Sequence, residues 1–227
     1  MPAMQRIRWL IIMVFVLLPA GIASAGDAGS GQGKMQQAAV PLVRLPAPAP
    51  GLFLVASRNL GDPHFSRTVI YLVAHGDDGS LGLVVNRPSN IRLADAVSDV
   101  EHEAGDAHAI YYGGPVKYSI LTMLMRSVKD NPLVQLVADD VYFSHDRRVL
   151  DRLLAERKPA DALRFYMGHA GWVAGQLQRE IEHGDWYVAD ADPAAIFSSR
   201  PESLWTRLIE KLDPGGLYVE LEVMSSS

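Results

Sequence analysis

Two apolar runs joined by a short turn constrain the fold of this chain more than any other feature of its sequence. Residues 68–75 (TVIYLVAH) and residues 81–86 (LGLVVN) are rich in β-branched and aromatic side chains, and DDGS stands between them. This pattern predicts a β-hairpin, which ends at Pro88 because proline cannot donate to a sheet ladder. The hairpin places a β-sheet in the fold.

Short apolar runs elsewhere predict further strands, and most of them are bounded by glycine, proline or asparagine. In the last run, apolar residues alternate with Tyr218, Glu220 and Glu222, which predicts a strand with one face in water. Besides the hairpin, the predicted strands cover residues 52–56, 109–112, 119–125, 133–137, 162–167 and 217–223.

Amphipathic segments predict helices between these strands. The first is capped by Ser89 or Asn90 and carries Leu93, Val97 and Val100. The others begin after Ser144, near Val173 with an end at Gly184, and at Asp192-Pro193, and the strongest pattern covers residues 204–212 before DPGG. Strands and helices are interspersed without a strict βαβ alternation, which predicts a single α+β domain with a mixed sheet.

The N-terminus carries the pattern of a secretory signal. Arg6 and Arg8 precede an apolar core at residues 9–18, and small residues end the segment at Ala25. The apolar core is about half as long as a membrane-spanning helix, so we expect a cleaved signal peptide at residues 1–25 and no permanent membrane span. The alternative is translation from Met35, which would leave the protein in the cytoplasm.

The 25 residues that follow the signal, 26–50, are rich in glycine, glutamine, alanine and proline and predict a flexible linker, so the folded domain is expected at residues 51–224. The chain has 21 basic and 26 acidic residues, a formal net charge of -5, and no basic cluster, which makes nucleic acid an improbable partner. It has no cysteine, which excludes thiol catalysis, disulfides and zinc–thiolate sites.

Residues 166–181 (YMGHAGWVAGQLQREI) contain three glycines between an apolar and an amphipathic run, and such a turn can bind phosphate at a helix N-terminus. The spacing matches neither the P-loop nor the dinucleotide-binding fingerprint, since Gln176 follows the last glycine and Val173 stands where G-x-G-x-x-G needs its third. We therefore expect Gly168, Gly171 and Gly175 to permit a tight turn and close packing of helix on strand, Trp172 to anchor the core, and no cofactor to bind.

Residues 57–67 (SRNLGDPHFSR) bring Ser57, Asp62 and His64 close together in sequence. No G-x-S-x-G elbow surrounds the serine, so the grouping favours a turn over a catalytic triad. In that turn we expect the Asp62 carboxylate to hold backbone N–H groups and Arg67 to pair with it.

Residues 101–108 (EHEAGDAH) combine two histidines with three carboxylates, all possible ligands of a divalent cation. Their spacing fits neither H-E-x-x-H nor an EF-hand loop, so we expect a solvated loop and predict no metal site.

Two loops at strand ends are the best candidates for binding. They are Asn86-Arg87-Pro88 after the hairpin and Gly113-Gly114-Pro115 after the strand at 109–112. Binding residues often lie in such loops because the strands hold them in place. The chemistry of these residues does not identify a ligand.

Four motifs resemble, in order and approximate spacing, the bacterial YqgE/AlgH family: DPHFSRTVIYLVAH, GSLGLVVNRP, YYGGPV, and GHAGWVAGQLQREI followed by DWY. The resemblance implies an α+β fold in which a mixed sheet curls into a small barrel surrounded by helices. The family lacks an established enzymatic activity, and one member is described as a transcriptional regulator of exopolysaccharide synthesis. Members usually have an aromatic residue where this chain has His169, and they are typically cytoplasmic without a leader.

Together these observations predict a non-enzymatic binding or regulatory module of the cell envelope that recognises a protein or a small ligand. One alternative is an enzyme of hydrolase type, and the other is a cytoplasmic transcriptional regulator. The candidate binding or structural residues are Asp62, Arg67, Asn86, Arg87, Gly113, Gly114, Gly171 and Trp172.

Overall fold

The computed structural model describes residues 47–97, 100, 108–127 and 131–214. The predicted signal peptide, most of the predicted linker, residues 101–107 and the strand predicted at 217–223 lie outside the described residues. No helix within the described ranges is both long and apolar enough to cross a membrane.

The described part of the chain contains ten strands and five α-helices. The strands are β1 (Leu52–Ala56), β2 (Val69–Gly76), β3 (Gly79–Val84), β4 (Pro88–Arg92), β5 (Ala109–Tyr112), β6 (Val116–Arg126), β7 (Gln135–Ala138), β8 (Val141–Ser144), β9 (Leu163–Trp172) and β10 (Trp186–Asp190). The helices are α1 (Leu93–Ala96), α2 (Arg147–Ala155), α3 (Gln176–His183), α4 (Pro193–Ile196) and α5 (Leu204–Leu212), with a 3-10 turn at Pro201–Ser203.

The strands form one curled sheet in the order β10-β1-β2-β3-β9-β6-β8-β7, a half-barrel whose neighbours along this path are antiparallel. Strand β5 pairs with β9 in parallel, and β4 pairs with β5 antiparallel. This mixed sheet with helices around it confirms the predicted α+β class. The predicted hairpin is β2–β3, and β9 is the central strand because it pairs with β3, β5 and β6.

Gly168 and Gly171 lie inside β9, so the tight turn expected at these two glycines is wrong, whereas Gly175 lies in the turn that precedes α3. Gly168 has a left-handed φ of 73°, and a Cβ at this position would stand 2.3 Å from the carbonyl oxygen of Gly114. The Gly113 N–H donates to the carbonyl of Met167 at 2.9 Å, which holds the two backbones together. Small residues are needed here for the close crossing of two chain segments rather than for a turn.

Buried apolar side chains form two core clusters. One includes Phe53, Tyr71 and Tyr166 of the sheet together with Trp205 and Ile209 of α5. Full burial of each such side chain stabilises the fold by about 1.5–3 kcal/mol. The second joins α2 to the sheet, and its buried residues include Met123, Leu163, Phe165, Val149, Leu150 and Leu153.

The predicted helix start, with Ser89 or Asn90 as the N-cap, is wrong, because both residues belong to β4. Only α1 remains of that helix, one turn long, and Arg92 precedes it without a side-chain cap. Pairing of β4 with β5 fixes this segment in an extended form, so tertiary contacts override the local helical pattern. Strands β8 and β10 were not predicted.

Three helix boundaries confirm the predictions. The Asp192 carboxylate accepts a hydrogen bond from the N–H of Ala194, with Pro193 as the first helical residue. Gly184 ends α3 with a left-handed φ of 88°. Helix α5 covers Leu204–Leu212, as the amphipathic pattern predicts.

Candidate functional site

The loop at residues 57–68, between β1 and β2, carries several of the candidate residues and is called the braced loop below. Its turn is held by Asp62, whose Oδ1 accepts a hydrogen bond from the N–H of His64 at 2.8 Å. The Asp62 carbonyl accepts two more, from the N–H groups of Phe65 (3.0 Å) and Ser66 (2.8 Å). The carboxylate therefore shapes the turn, as the sequence predicts.

Asn86 and Arg87, which follow β3, make side-chain hydrogen bonds to the backbone at the same loop. Asn86 is 6% exposed; its Oδ1 accepts from the N–H of Val69 at 2.8 Å and its Nδ2 donates to the carbonyl of Arg67 at 3.0 Å. Arg87 donates through Nη1 to the His64 carbonyl at 2.6 Å and through Nη2 to the Ser66 carbonyl at 2.7 Å. The structure thus brings Asp62, Asn86 and Arg87 together, and their polar atoms fix the loop backbone.

The electrostatics of Arg87 reflect this half-buried position. Burial lowers the pKa of its guanidinium, while the nearby Asp62 carboxylate and the Tyr118 phenol act in the opposite direction. Arginine nevertheless stays protonated because its ordinary pKa is far above neutrality. Arg87 is therefore a permanent charge whose terminal nitrogens are already engaged with the loop.

Arg67 has a different partner from the one expected. Its guanidinium lies over the Trp205 ring, 5.1 Å from the ring centroid, and Arg58 lies over the same ring at 5.9 Å. Trp205 in turn donates through its indole nitrogen to the carbonyl of Ala56 at 2.8 Å. The predicted pairing of Arg67 with Asp62 is wrong, because α5 brings Trp205 to Arg67 from far along the chain and the cation–π contact takes its place.

Aromatic side chains also pack against the braced loop. Phe65 stacks on Trp172 (centroids 6.5 Å apart) and meets Trp186 edge-on (5.7 Å). Both indole nitrogens donate to the same oxygen of Glu180, at 2.7 Å from Trp172 and 2.9 Å from Trp186. Trp172 is buried, as predicted, and this cluster joins the DPHF and GHAGW motifs into one packing unit.

Gln176, the first residue of α3, makes side-chain hydrogen bonds to groups on either side of it in the chain. Gln176 accepts through Oε1 from the N–H of Val173 at 3.1 Å and donates through Nε2 to Glu180 at 2.8 Å. Gly175 precedes the helix with a left-handed φ of 69°. Gly171, by contrast, is exposed, and a Cβ there would meet no atom closer than 3.8 Å.

An open groove of about 510 Å³ runs beside the braced loop. It is formed by residues from the end of β3, the strand β4, the end of β5 and the 3-10 turn. Its lining residues are Asn86, Arg87, Pro88, Ser89, Asn90, Tyr112 and Glu202. Tyr112 is 46% exposed, and Tyr118, which influences the pKa of Arg87, is 48% exposed. Glu202 was not predicted to belong to a site because no motif links it to residues so distant in the chain, and Asn90 was predicted to cap a helix instead.

A polar cluster that sequence reasoning missed surrounds Tyr111, the residue before Tyr112 on β5. Arg164 donates to the Tyr111 hydroxyl and, through Nη2, to the carbonyl of Ser198 at 2.7 Å. Its guanidinium also lies 4.8 Å from the centroid of the Tyr111 ring. Burial raises the pKa of Tyr111 and of the neighbouring Tyr166, so both phenols stay neutral at physiological pH.

Residues 101–107, which carry most of the candidate metal ligands, lie outside the described ranges, and the described candidates Ser57 and His64 do not form a catalytic pair. Ser57 is buried, whereas His64 lies on the exposed side of the loop, and no hydrogen bond joins their side chains. His108 is buried edge-on against Phe165, and burial lowers its pKa. Among the residues that the structure describes, no three histidines or carboxylates come together as metal ligands.

Comparison with known proteins identifies relatives over most of the domain. The AlgH-like family model matches residues 53–215. A UPF0301 protein from Chlorobium luteolum is 38% identical over 173 residues, which cover 75% of this chain and 88% of that protein. A UPF0301 protein from Magnetococcus marinus is 32% identical over 164 residues, 71% of this chain and 88% of the relative.

Solved structures agree with this assignment. The solution structure of the AlgH protein from Pseudomonas aeruginosa has a TM-score of 0.63 and 31% identity, and it covers 74% of this chain and 92% of that one. A crystal structure of a protein from Corynebacterium diphtheriae gives a TM-score of 0.61 at 26% identity, with 74% and 88% covered. Four sequence motifs, the family match and the shared half-barrel lead to one conclusion: the chain belongs to the AlgH-like (YqgE/AlgH) family.

Proposed function

We propose that this chain is a non-enzymatic binding module of the cell envelope that recognises a protein or a small ligand at the groove beside its braced loop. The observation that supports this most directly is the use of Asp62, Asn86 and Arg87, which all direct hydrogen bonds to loop backbone. Groups that act as acid, base or nucleophile must be free to engage a substrate. A rigid loop beside an open groove instead provides a preformed binding surface.

The main rival is a hydrolase-type enzyme working at the same residues. We would measure turnover of a panel of esters, phosphoesters and glycosides by the wild type and by the Arg87→Ala and Asp62→Asn variants. The proposal expects no turnover that depends on either residue. Activity that is abolished in both variants but kept in Glu210→Gln, an exposed acid on α5, would overturn it.

The proposed location rests on the N-terminal sequence, where Arg6 and Arg8, an apolar core and Ala25 follow one another in the order of a secretory signal. Mass spectrometry of the native protein after cell fractionation tests it. A terminus at Gly26 in the envelope fraction supports export. A terminus at Met35 in the cytoplasm contradicts it and favours a cytoplasmic regulator, which would also show salt-sensitive retention on DNA.

A further inference from the structure

We infer that the C-terminal residues 217–223 pair with the free edge of β10 as an additional strand that runs parallel to it. This inference does not depend on the proposed binding function. It concerns a segment beyond residues 53–215, the part of the chain that the AlgH-like family model matches.

The first argument is the unpaired edge of β10. This strand ends the sheet, and among the described strands it pairs only with β1. On β1, the N–H of Ala56 donates to the Thr68 carbonyl at 3.0 Å, whereas the N–H of the next residue, Ser57, donates to the Asp185 carbonyl at 2.9 Å. Successive residues at this end of β1 therefore bond to opposite sides.

This alternation decides which backbone groups of β10 point away from β1. In an antiparallel ladder, hydrogen-bonded pairs of residues alternate with non-bonded pairs. Because Ser57 bonds to Asp185, the pairs that β1 forms with Trp186 and Val188 are non-bonded. The N–H and C=O groups of Trp186 and Val188 therefore face the free edge.

Burial makes it costly to leave these backbone groups unpaired. Trp186 is 3% exposed and Val188 is 5% exposed, so water reaches little of either residue. Buried backbone N–H and C=O groups are almost always paired in folded proteins, and natural proteins cover or shorten the free edges of their sheets. The edge of β10 therefore needs a further strand beside it.

The course of the chain indicates which segment this is. The described residues end at Pro214, shortly after α5. Asp213 forms an ion pair with Arg58 (3.5 Å from Oδ2 to Nε), and Arg58 follows Ser57, which bonds to the residue before β10. Burial and the nearby Asp213 carboxylate both raise the pKa of the Tyr187 phenol on β10. The chain therefore leaves α5 beside the beginning of β10.

The length and sequence of the remaining chain fit this edge. Residues 217–223 (LYVELEV) alternate apolar and polar side chains, as a strand with one wet face does. They can extend over about 23 Å, against about 17 Å for the five residues of β10. A segment that starts at the beginning of β10 must run parallel to it. Parallel neighbours need a crossover with a helix, and residues 191–216 contain α4 and α5.

Disulfide trapping tests this pairing, because the chain has no cysteine and only introduced thiols can react. Ala189→Cys on β10 is combined, in the full-length protein, with a second cysteine at each of residues 217–223 in turn. After oxidation at low protein concentration, alternate positions should crosslink within one chain about tenfold more than the positions between them, since side chains of a strand alternate between two faces.

The matched control is Leu136→Cys, an exposed position on β7 at the opposite end of the sheet, combined with the same second cysteines. It should crosslink no more than the weakest Ala189→Cys pairs. Three results would overturn the inference: equal crosslinking at all positions, no excess over the Leu136→Cys series, or disulfides that form only between two chains and so assign the edge to a second copy.

Hydrogen exchange, followed by NMR on the full-length protein, tests the same pairing without cysteines. The Val188 N–H should exchange slowly in the wild type. At least one of Glu220→Pro and Leu221→Pro should accelerate its exchange about tenfold or more, because proline removes a donor from the ladder. Ser226→Pro, beyond the segment, is the control and should leave the rate unchanged. Fast exchange in the wild type, or the same slow exchange in all variants, would contradict the pairing.

Discussion

The braced loop and the groove meet at Asn86 and Arg87, but they use their polar side chains in opposite ways. Asp62 in the loop and Asn86 beside it make hydrogen bonds to nearby backbone groups, so each of them fixes the local backbone conformation. On the groove side, Asn90 and Glu202 line a surface and are exposed. The difference indicates that the residues of the sequence motifs stabilise the fold. Ligand binding is expected instead from residues outside the motifs, such as Asn90 and Glu202.

The largest expected effect on stability is at Gly168, where the backbone of β9 passes close to the backbone of Gly113 and Gly114. Gly168→Ala should destabilise the protein by about 3 kcal/mol, because the new Cβ collides with the Gly114 carbonyl and the backbone has a left-handed φ. Gly171→Ala, three residues further along the same strand, should change stability by less than about 0.5 kcal/mol. Urea denaturation of both variants measures the difference, and equal losses would contradict the close crossing.

A second prediction compares Asn86, which is bonded to the backbone at the end of the braced loop, with Asn90, which lines the groove. Asn86→Ala should cost about 2–3 kcal/mol, because it leaves the Val69 N–H and the Arg67 carbonyl without partners in a buried place. Asn90→Ala, at an exposed position in the groove, should cost less than about 0.5 kcal/mol. Equal shifts of the two denaturation midpoints would show that Asn86 stabilises the fold no more than Asn90 does.

A smaller effect concerns pH and His169 on β9. Burial, reinforced by the charge of Lys117, lowers the pKa of His169 in the folded protein. The unfolded chain therefore binds a proton more readily, so the free energy of unfolding should decrease as the pH falls below about 6.5.

His169→Tyr, which replaces the imidazole by an aromatic ring that stays neutral in this range, should reduce this decrease between pH 7.5 and pH 5. Buried His108, whose pKa is also lowered, should account for part of what remains. Urea denaturation of both proteins at each pH measures the effect. An unchanged pH profile in His169→Tyr would show that the His169 environment does not oppose protonation.

The smallest expected change in stability is at the groove. Tyr112→Ala should alter the free energy of unfolding by less than about 0.5 kcal/mol, since the side chain is 46% exposed. Thermal denaturation of the variant and the wild type measures the difference. A strongly destabilised Tyr112→Ala would mean that this residue belongs to the scaffold.

The sequence predicted the elements whose local pattern and final environment agree. The β2–β3 hairpin, helix α5 and the Asp192 cap are examples, because their signals depend on nearby residues alone. It failed where distant segments decide the outcome. Residues 88–92 became a strand because β5 lies beside them, and Gly168 lies in a strand because Gly113 and Gly114 cross it.

The candidate site was predictable only in part, for the same reason. The sequence indicated Asp62, Asn86 and Arg87 through turn chemistry and loop position, and the structure brings these three together. It could not indicate Glu202 as part of the groove, because only the tertiary fold brings Glu202 close to Tyr112 at the end of β5.

Strand β9 begins at Leu163, yet it separates β3 from β6 in the finished sheet. During synthesis the ribosome therefore releases the strands on both sides well before the one that joins them. Contacts between residues this far apart in the chain form slowly. Pairing of β9 with β3 and β6 is therefore expected to be a late step of folding, and the half-barrel becomes one continuous sheet only after it.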